Sequence, residues 1–225
     1  MHDITLYGHM TVDRIFDGFE EKQTLGAMAN MWRTWKLIAP ELNIGLVPTS
    51  VGEALIYVDR ESCTRYSNFV SDIKVNKPII KESKMSHALY INKLPDVAWL
   101  SDLTGTISAD VCAGAKIDTN LLQHIDYLFI ADEDAYADLK TMCKDTKGHV
   151  ILHTSKSSVV SDGRYENKYQ IEESMFVPKS NVLGAGDMFA SSFLYGLHLG
   201  LQMEEIQKYA HETTSKLIRT ENEKI

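Results

Sequence analysis

The chain has 225 residues, of which 44% are hydrophobic, 24% are charged and 9% are aromatic. This is an ordinary globular composition, and a chain of this length can bury a core without disulfides or structural metals. The net charge is −8, from 23 Lys and Arg against 31 Asp and Glu, which argues against nucleic-acid or anionic-membrane partners. Its start lacks a signal-peptide pattern, and no apolar run approaches the ~20 residues of a membrane span. We therefore expect a cytoplasmic protein.

The first third of the chain contains one helical pattern among short β-rich runs. Gly26–Ile38 has apolar residues at helical spacing, and Pro40 ends the pattern. Within it, Trp32 and Trp35 are three residues apart, which predicts core positions for both. Asp59–Ser86 is polar and weakly patterned, so an extended flap, a hairpin and a partly mobile segment all remain open. The predicted strands are Ile4–Tyr7, which runs into Gly8, Asn43–Val47 and Ala54–Val58.

After this stretch the alternation of strands and helices becomes regular. Four apolar runs suit strands that are buried on both faces, as in a parallel sheet: Ala88–Ile91, Gly105–Val111, Tyr127–Ile130 and His149–His153. Val159–Asp162 and Ser174–Val177 resemble an antiparallel edge. Predicted helices are Asp132–Cys143, Met188–Leu199 and Met203–Leu217. This order predicts one α/β domain over 1–225, with three α/β/α layers and a mostly parallel central sheet.

The glycine-rich segment Asn181–Tyr195 carries the strongest chemical signal. Gly184, Ala185 and Gly186 stand just before an amphipathic helix. Such a turn aims successive backbone N–H groups at one point, and the helix dipole adds positive potential there. The segment therefore predicts a site for an anion with several oxygens, such as a phosphate.

Asp187 follows these glycines directly and has two interpretations. As a general base, it would take the proton of an alcohol that attacks a phosphoryl group. As a helix N-cap, it would only satisfy a backbone N–H. The four residues Gly184–Asp187 leave both interpretations open.

The ordered set of motifs resembles the ribokinase-like (PfkB) carbohydrate kinases. Asn181–Tyr195 is similar to the D-T-x-G-A-G-D signature of that family, in its usual place near the C-terminus. Near the N-terminus, Gly8 with Asp13 and Gly26 with Asn30 resemble the first strand and the G-G-x-x-x-N helix start. Between them, Ile107–Val111 resembles the strand with a central aspartate, and Phe129–Leu139 resembles the N-x-x-E helix opening.

The resemblance implies an ATP- and Mg²⁺-dependent transfer of the γ-phosphate to a hydroxyl of a sugar or nucleoside, with a sugar favoured. By the same resemblance, Asp187 is the catalytic base and the backbone of Gly184, Ala185 and Gly186 is the anion hole. The other implied roles are Asp13, Gly26 and Asn30 on the acceptor, Thr154 on the nucleotide and Asp134 on the metal. The assembly would be a monomer or a homodimer.

Several positions depart from the family pattern. Asn181 and Val182 replace Asp-Thr, Leu25 replaces a glycine, and Ala131 and Asp134 replace Asn and Glu. Only twelve residues separate Asp13 from Gly26, which predicts a reduced lid or flap, placed within 48–86.

These departures keep a rival function open, namely a catalytically degenerate descendant that binds a nucleotide, a sugar or a protein partner. An unrelated Rossmann-type binding domain would require the ordered likeness to be chance. Two acidic positions also stay open. Asp132–Asp134 either positions metal and phosphate or supplies helix-start acids, and Asp110 either faces the site or caps the next segment.

Overall fold

The structure is a computed structural model that describes residues 1–59, 64–71, 77–94, 96–112, 117–177 and 184–222. Within these ranges ten strands form one sheet, with the order β10-β9-β8-β7-β6-β5-β1-β3-β4, and β2 pairs with β1 outside that path. The strands are β1 (His2–Asp17), β2 (Glu20–Leu25), β3 (Ile44–Asp59), β4 (Thr64–Ser71), β5 (Ser83–Ala88), β6 (Thr106–Val111), β7 (Tyr127–Ala131), β8 (His149–His153), β9 (Ser157–Ser161) and β10 (Glu166–Gln170).

The centre of the sheet is parallel and its margins are antiparallel. The pairs from β3 through β1, β5, β6 and β7 to β8 are all parallel. The pairs β8–β9, β9–β10, β1–β2 and β3–β4 are antiparallel. The carboxyl ends of the parallel strands thus meet along one edge, where ligands of open α/β sheets bind.

Helices cover both faces of the sheet. They are α1 (Ala27–Ile38), α2 (Thr119–Leu122), α3 (Leu139–Asp145), α4 (Ala185–His198) and α5 (Met203–Asn222). One core cluster joins α1, α4 and α5 to side chains such as Leu6 and Phe129, and a second lies on the opposite face with Tyr7 and Leu128. Because adjacent strand residues enter opposite clusters, the sheet is buried on both faces. The predicted three-layer α/β/α architecture is confirmed.

Most predicted elements are present, although several bounds differ. α1, β6, β7, β8, α4 and α5 occur where the sequence predicts them, and α4 begins three residues earlier than expected. The predicted strand Ala88–Ile91 is wrong in its bounds, because β5 ends at Ala88 and Ile91 opens a 3₁₀ turn. The predicted helix Asp132–Cys143 is a 3₁₀ turn over Asp132–Asp134 followed by α3, whose N-cap is Asp138.

The predicted edge strand Ser174–Val177 is wrong. The partner of β9 is β10, a polar strand with alternating exposure, and Glu173–Met175 forms a 3₁₀ turn. A polar edge strand has no apolar run to mark it, which explains the error. Trp35 is fully buried as predicted, and its indole N–H donates to the carbonyl of Ser191 (2.8 Å), but Trp32 is 40% exposed and does not belong to the core.

β1 and β3 continue beyond the end of their neighbour β5, and with β2 and β4 they form a four-strand extension of the same sheet. The extension consists of 12–17 of β1, β2, 51–59 of β3 and β4. The register of β1 and β3 shifts between Gly8 and His9 and then continues to Asp17 and Val58. The twelve residues between Asp13 and Gly26 form a hairpin, in which Asp13 pairs with Thr24. Part of the flap placed at 48–86 lies outside the described residues, and its boundary stays a prediction.

No helix in the described ranges is long and apolar enough to cross a membrane.

Candidate active site

Asp187 is a buried carboxylate in the first turn of α4, with 4% of its surface exposed. Its Oδ2 accepts a hydrogen bond from Nδ2 of Asn30 (2.9 Å), and its Oδ1 accepts one from the hydroxyl of Tyr90 (2.8 Å). The N-cap of α4 is Gly184, and the carboxylate is bonded to side chains from distant segments. The N-cap interpretation of Asp187 is therefore wrong.

The surroundings of Asp187 change its acidity. Burial is the main cause that raises the pKa of this carboxyl to about 6, and the nearby charges of Asp110 and Asp13 raise it further. The hydrogen bonds from Asn30 and Tyr90 lower the pKa because they stabilise the ionised form. A carboxyl with this pKa is mostly ionised at pH 7 and still accepts a proton readily, which suits a general base.

Gly184 fixes the entry into α4. Its φ is +85°, a left-handed conformation that side chains disfavour, and a Cβ there would lie 2.9 Å from Nδ2 of Asn30. The next residues, Ala185 and Gly186, form the first turn, whose backbone N–H groups have no acceptor within the helix. The structure thus places the predicted anion-binding backbone directly beside Asp187.

Gly26 brings the start of α1 against the end of β1. Its N–H donates to the carbonyl of Thr11 (2.9 Å), and a Cβ would overlap the Thr11 hydroxyl and lie 2.8 Å from Oδ1 of Asp13. The Thr11 hydroxyl donates to Asp13 (2.6 Å), while burial raises the pKa of Asp13. Asp13 of one predicted motif therefore lies beside Gly26 of the other, and Asn30, one turn further along α1, contacts Asp187.

Thr154 follows β8, and its hydroxyl is engaged within the β8–β9 turn. The hydroxyl oxygen accepts hydrogen bonds from the backbone N–H groups of Lys156 and Ser157 (both 2.9 Å). These bonds give Thr154 a structural role in the hairpin. Its role in nucleotide binding stays a prediction.

Asp134 lies partly buried at the end of the 3₁₀ turn that follows β7. Its charge, like those of Asp110 and Asp187, acts on the thiol of Cys112, whose pKa is raised to about 12, mainly by burial. Asp134 follows the carboxyl end of β7, and Asp187 contacts Tyr90, which follows the carboxyl end of β5, so both lie near the same edge of the sheet. In the described ranges, no group of three or more His, Cys, Asp or Glu side chains is arranged to hold a metal.

Magnesium is often held by one or two carboxylates together with phosphate oxygens and water. Asp134 fits this pattern as one carboxylate ligand, and it does not form a closed protein cage. The metal role of Asp134 stays a prediction.

Asp110 lies on the face of the sheet that α1 and α4 cover, because Ala109 and Val111 on either side of it belong to the opposite core cluster. Its alternative role as a cap of the next segment stays a prediction, since 113–116 lie outside the described residues. Asp110 is buried at the end of β6, next to the fully buried ring of His87 on β5 (Nε2 to Oδ2, 3.2 Å). Its charge contributes to the raised pKa of Asp187. His87 also contacts the hydroxyl of Ser108 (2.9 Å), so this buried carboxylate belongs to a hydrogen-bonded network.

Sequence reasoning missed two residues of the site, Tyr90 and His153. Tyr90 lies two residues after β5, inside a run interpreted as a strand. His153 ends β8, where its Cε1 would be 3.8 Å from a Cβ at Gly186 and its ring packs on Phe189 (4.9 Å between centroids). The position of His153 at a strand end was an available signal, because such ends line α/β sites. Asn181 and Val182 lie outside the described residues.

Comparisons with solved structures relate the fold of this chain to that of known proteins. A pyrophosphate-dependent kinase in the ribokinase family, complexed with a pyrophosphate analogue and myo-inositol, is 16% identical with a TM-score of 0.71 and covers 94% of this chain and 93% of its own. The chain has the ribokinase-like fold. Ribokinase from Thermotoga maritima is similar too (16% identity, TM-score 0.71, 95% and 91% covered), as is adenosine kinase from Sinorhizobium meliloti (14%, 0.68, 95% and 92%).

At the level of sequence, no family model and no curated protein matches the chain. The ribokinase-like fold therefore rests on architecture, and the fold by itself assigns no role to any residue of the site.

Proposed function

We propose that this chain is a phosphotransferase that moves the terminal phosphoryl group of ATP to a hydroxyl of a small sugar or nucleoside. The observation that carries the proposal is the arrangement at the start of α4. There, a buried carboxylate, Asp187, is held by Asn30 and Tyr90 beside the free N–H groups of the first turn. Base and anion site are thus neighbours on rigid elements, which phosphoryl transfer requires.

Each of these groups has a role in the proposed phosphoryl transfer. The acceptor hydroxyl gives its proton to Asp187 as its oxygen forms a bond to the γ-phosphorus. The bond between that phosphorus and the β–γ bridging oxygen breaks, and ADP leaves with the electron pair. The N–H groups of Ala185 and Gly186 stabilise the negative charge on the transferred phosphoryl oxygens. Bound Mg²⁺ would neutralise phosphate charge, with Asp134 as its one proposed ligand from the chain.

The acceptor would lie against Asp13 and Asn30. The Asp13 carboxylate, with one oxygen engaged by Thr11, accepts hydrogen bonds from hydroxyl groups through its remaining lone pairs. The missing Cβ at Gly26 leaves the room for Thr11 and Asp13 in their present positions. A polyhydroxylated acceptor therefore suits this side of the site.

The rival function is a protein that binds a ligand without turnover. The engagement of Thr154 inside its turn favours it, because that hydroxyl is committed to the hairpin. Retention of Asp187 argues against it, since a buried carboxylate with a raised pKa destabilises a scaffold that has no use for it.

The test is product formation from a panel of sugars and nucleosides, read by mass spectrometry. Each acceptor is offered with Mg²⁺ and ATP, GTP or pyrophosphate as donor, because one structural neighbour is pyrophosphate-dependent. The unaltered chain should form a phosphate ester, and Asp187→Asn should lower turnover by about 100-fold or more. The matched control is Asp145→Asn, which removes a carboxylate that also accepts from a tyrosine, Tyr136 (3.2 Å). Equal turnover in Asp187→Asn would contradict the mechanism, and absence of product with every pair would favour the rival.

A further inference from the structure

We propose that Tyr90 is a positioning residue, whose hydroxyl fixes the orientation of the Asp187 carboxylate and favours its ionised form. The effect of Tyr90 on catalysis rests on the proposed function, but the hydrogen bond between Tyr90 and Asp187 does not. The Tyr90 hydroxyl donates to Oδ1 of Asp187 (2.8 Å), while Asn30 donates to Oδ2 (2.9 Å). With one donor on each oxygen, rotation of the carboxylate would break a hydrogen bond in a buried place.

The backbone at Tyr90 supports a specific role. Its φ is +47° and its ψ is +53°, and it is the one non-glycine residue with positive φ in the described part of the chain. Residues held in this region persist where their surroundings fix them, and they cluster at active sites. The left-handed conformation turns the chain from β5 into the following 3₁₀ turn, and the side chain projects to α4.

Neighbouring contacts hold this corner in place. The N–H of Leu89 donates to the carbonyl of Tyr7 (2.8 Å), and Leu89 packs where Gly8 has no side chain, 2.8 Å from an ideal Cβ. Strand β1 therefore fixes the residue immediately before Tyr90. The hydroxyl reaches Asp187 from an anchored backbone and not from a free loop.

The hydrogen bond from Tyr90 stabilises the ionised form of Asp187 in acidic surroundings. Asp13 of β1 and Asp110 of β6 act on the charge of Asp187, and Asp187 in turn acts on the thiol of Cys112, just after β6. His153, at the end of β8, lies against the neighbouring Gly186. The two aspartates oppose a negative charge on Asp187, and burial raises the pKa of Tyr90 well above its usual range, so the phenol remains a neutral donor. Donation from Tyr90 and Asn30 is what opposes the effect of the aspartates.

The experiment measures the titration of Asp187 directly, by the ¹³C resonance of its side-chain carboxyl. In Tyr90→Phe, which keeps the ring and removes the hydroxyl, the pKa of Asp187 should rise by about 0.5 to 1 unit, because a donor to the ionised form is lost. The matched control is Tyr195→Phe, since Tyr195 donates to Glu41 (2.9 Å) away from the site. That control should leave the titration of Asp187 unchanged.

A second measurement needs no substitution at Tyr90. In the unaltered chain, the ring carbon that bears the Tyr90 hydroxyl should shift with the same midpoint as the Asp187 carboxyl, and Asp187→Asn should abolish this response. An unchanged or lowered Asp187 pKa in a folded Tyr90→Phe overturns the proposal. Should Tyr90→Phe fail to fold, a Tyr90 resonance that ignores the Asp187 titration overturns it instead.

Turnover separates this proposal from the function on which its catalytic part rests. If the chain is a kinase, the acid limb of kcat/KM should move to higher pH in Tyr90→Phe together with the Asp187 titration. If no donor and acceptor pair reacts, the proposed function fails, while the two resonance measurements still decide the role of Tyr90.

Discussion

Asp187 destabilises the fold at neutral pH, because it must be ionised in a buried and acidic place. Its pKa is raised to about 6, whereas an exposed aspartate titrates near 4. The folded state therefore binds a proton more tightly than the unfolded state between these values. The contribution of Asp187 to the free energy of unfolding is therefore most favourable below about pH 4, and it is lost as the pH rises through 6.

Replacing Asp187 with Asn should remove this dependence. The variant should be more stable than the unaltered chain at pH 7, by up to about 3 kcal/mol for a shift of about two units. Asn30 or Tyr90 must then rearrange to pair with an amide, which reduces the gain. Urea unfolding at pH 4 and pH 7 measures the difference between the two chains. A difference that is the same at both pH values would contradict the assigned environment of Asp187.

The individual residues of the site were predictable where a local motif marks them. Gly184 and Asp187 stand in one short segment, and Gly26 with Asn30 opens a periodic helix. Tyr90 has no such mark, because its contact with Asp187 joins positions 97 apart in sequence. Its left-handed backbone also gives no signal, since glycine or asparagine is the usual residue for that conformation.

The start of α4 depends on its backbone more than on its side chains. Gly184 combines a positive φ with a close approach to Asn30, so alanine there suffers both strain and a clash. Gly200, between α4 and α5, also has a positive φ (+71°) but has nothing within 4 Å of an added Cβ. A comparison of alanine substitutions at the two glycines therefore separates the energetic cost of backbone strain from the cost of the clash with Asn30.

Gly184→Ala should cost more stability than Gly200→Ala. The second substitution carries only the strain of a left-handed residue, about 1 kcal/mol, and the first adds about 1 kcal/mol or more for displacement of Asn30. Thermal and urea unfolding of both variants measures the excess. Gly184→Ala should also raise the pKa of Asp187, because Asn30 no longer donates well. Equal costs in the two variants would mean that the contact with Asn30 is unimportant.

Among whole elements, the buried parallel strands were easier to predict than the long ones. β7 and β8 read as apolar runs because both of their faces are buried, with Phe129 and Ile151 in one core cluster. β3 appeared as two short strands, because Thr49 and Ser50 interrupt the apolar pattern near the shift of register opposite Gly8 and His9. Polar residues in the middle of a strand interrupt the apolar pattern from which strands are predicted. That β3 is one continuous strand is evident only from its pairing with β1.

At the scale of the whole molecule, the site joins elements from both ends of the chain. α1 and α4 pack together and bring Asn30 to Asp187 across 157 positions. A ligand that bridges these elements binds only the folded state and therefore stabilises it.

Thermal unfolding with and without the phosphoryl donor should show this stabilisation of the folded state by a bound ligand. At about a hundred times its dissociation constant, MgATP should add about 2.7 kcal/mol of stability, a rise of roughly 5–10 °C in the midpoint for a chain of this size. MgGTP and magnesium pyrophosphate belong in the same series. Asp187→Asn should keep the shift, because the proposed donor contacts come from backbone N–H groups. If the midpoint does not shift at millimolar donor, the result would favour the rival function in its form that binds a sugar or a protein partner and no nucleotide.

The four-strand extension carries Asp13 and continues β1 and β3 beyond the end of β5. Under the proposed function, Asp13 of this extension would contact the acceptor. In the proposed function the role of the extension is to exclude water, since an open site would hydrolyse the donor.

The role of Asp187 in activating the acceptor is measured by ³¹P NMR, which follows the donor phosphorus in the presence of Mg²⁺ and each acceptor that binds. The unaltered chain should give a new phosphate-ester resonance that grows as the donor is consumed, with little inorganic phosphate, and Asp187→Asn should slow both changes by about 100-fold or more. Release of inorganic phosphate alone, or an ester formed equally well by Asp187→Asn, would contradict the claim that Asp187 activates an acceptor hydroxyl.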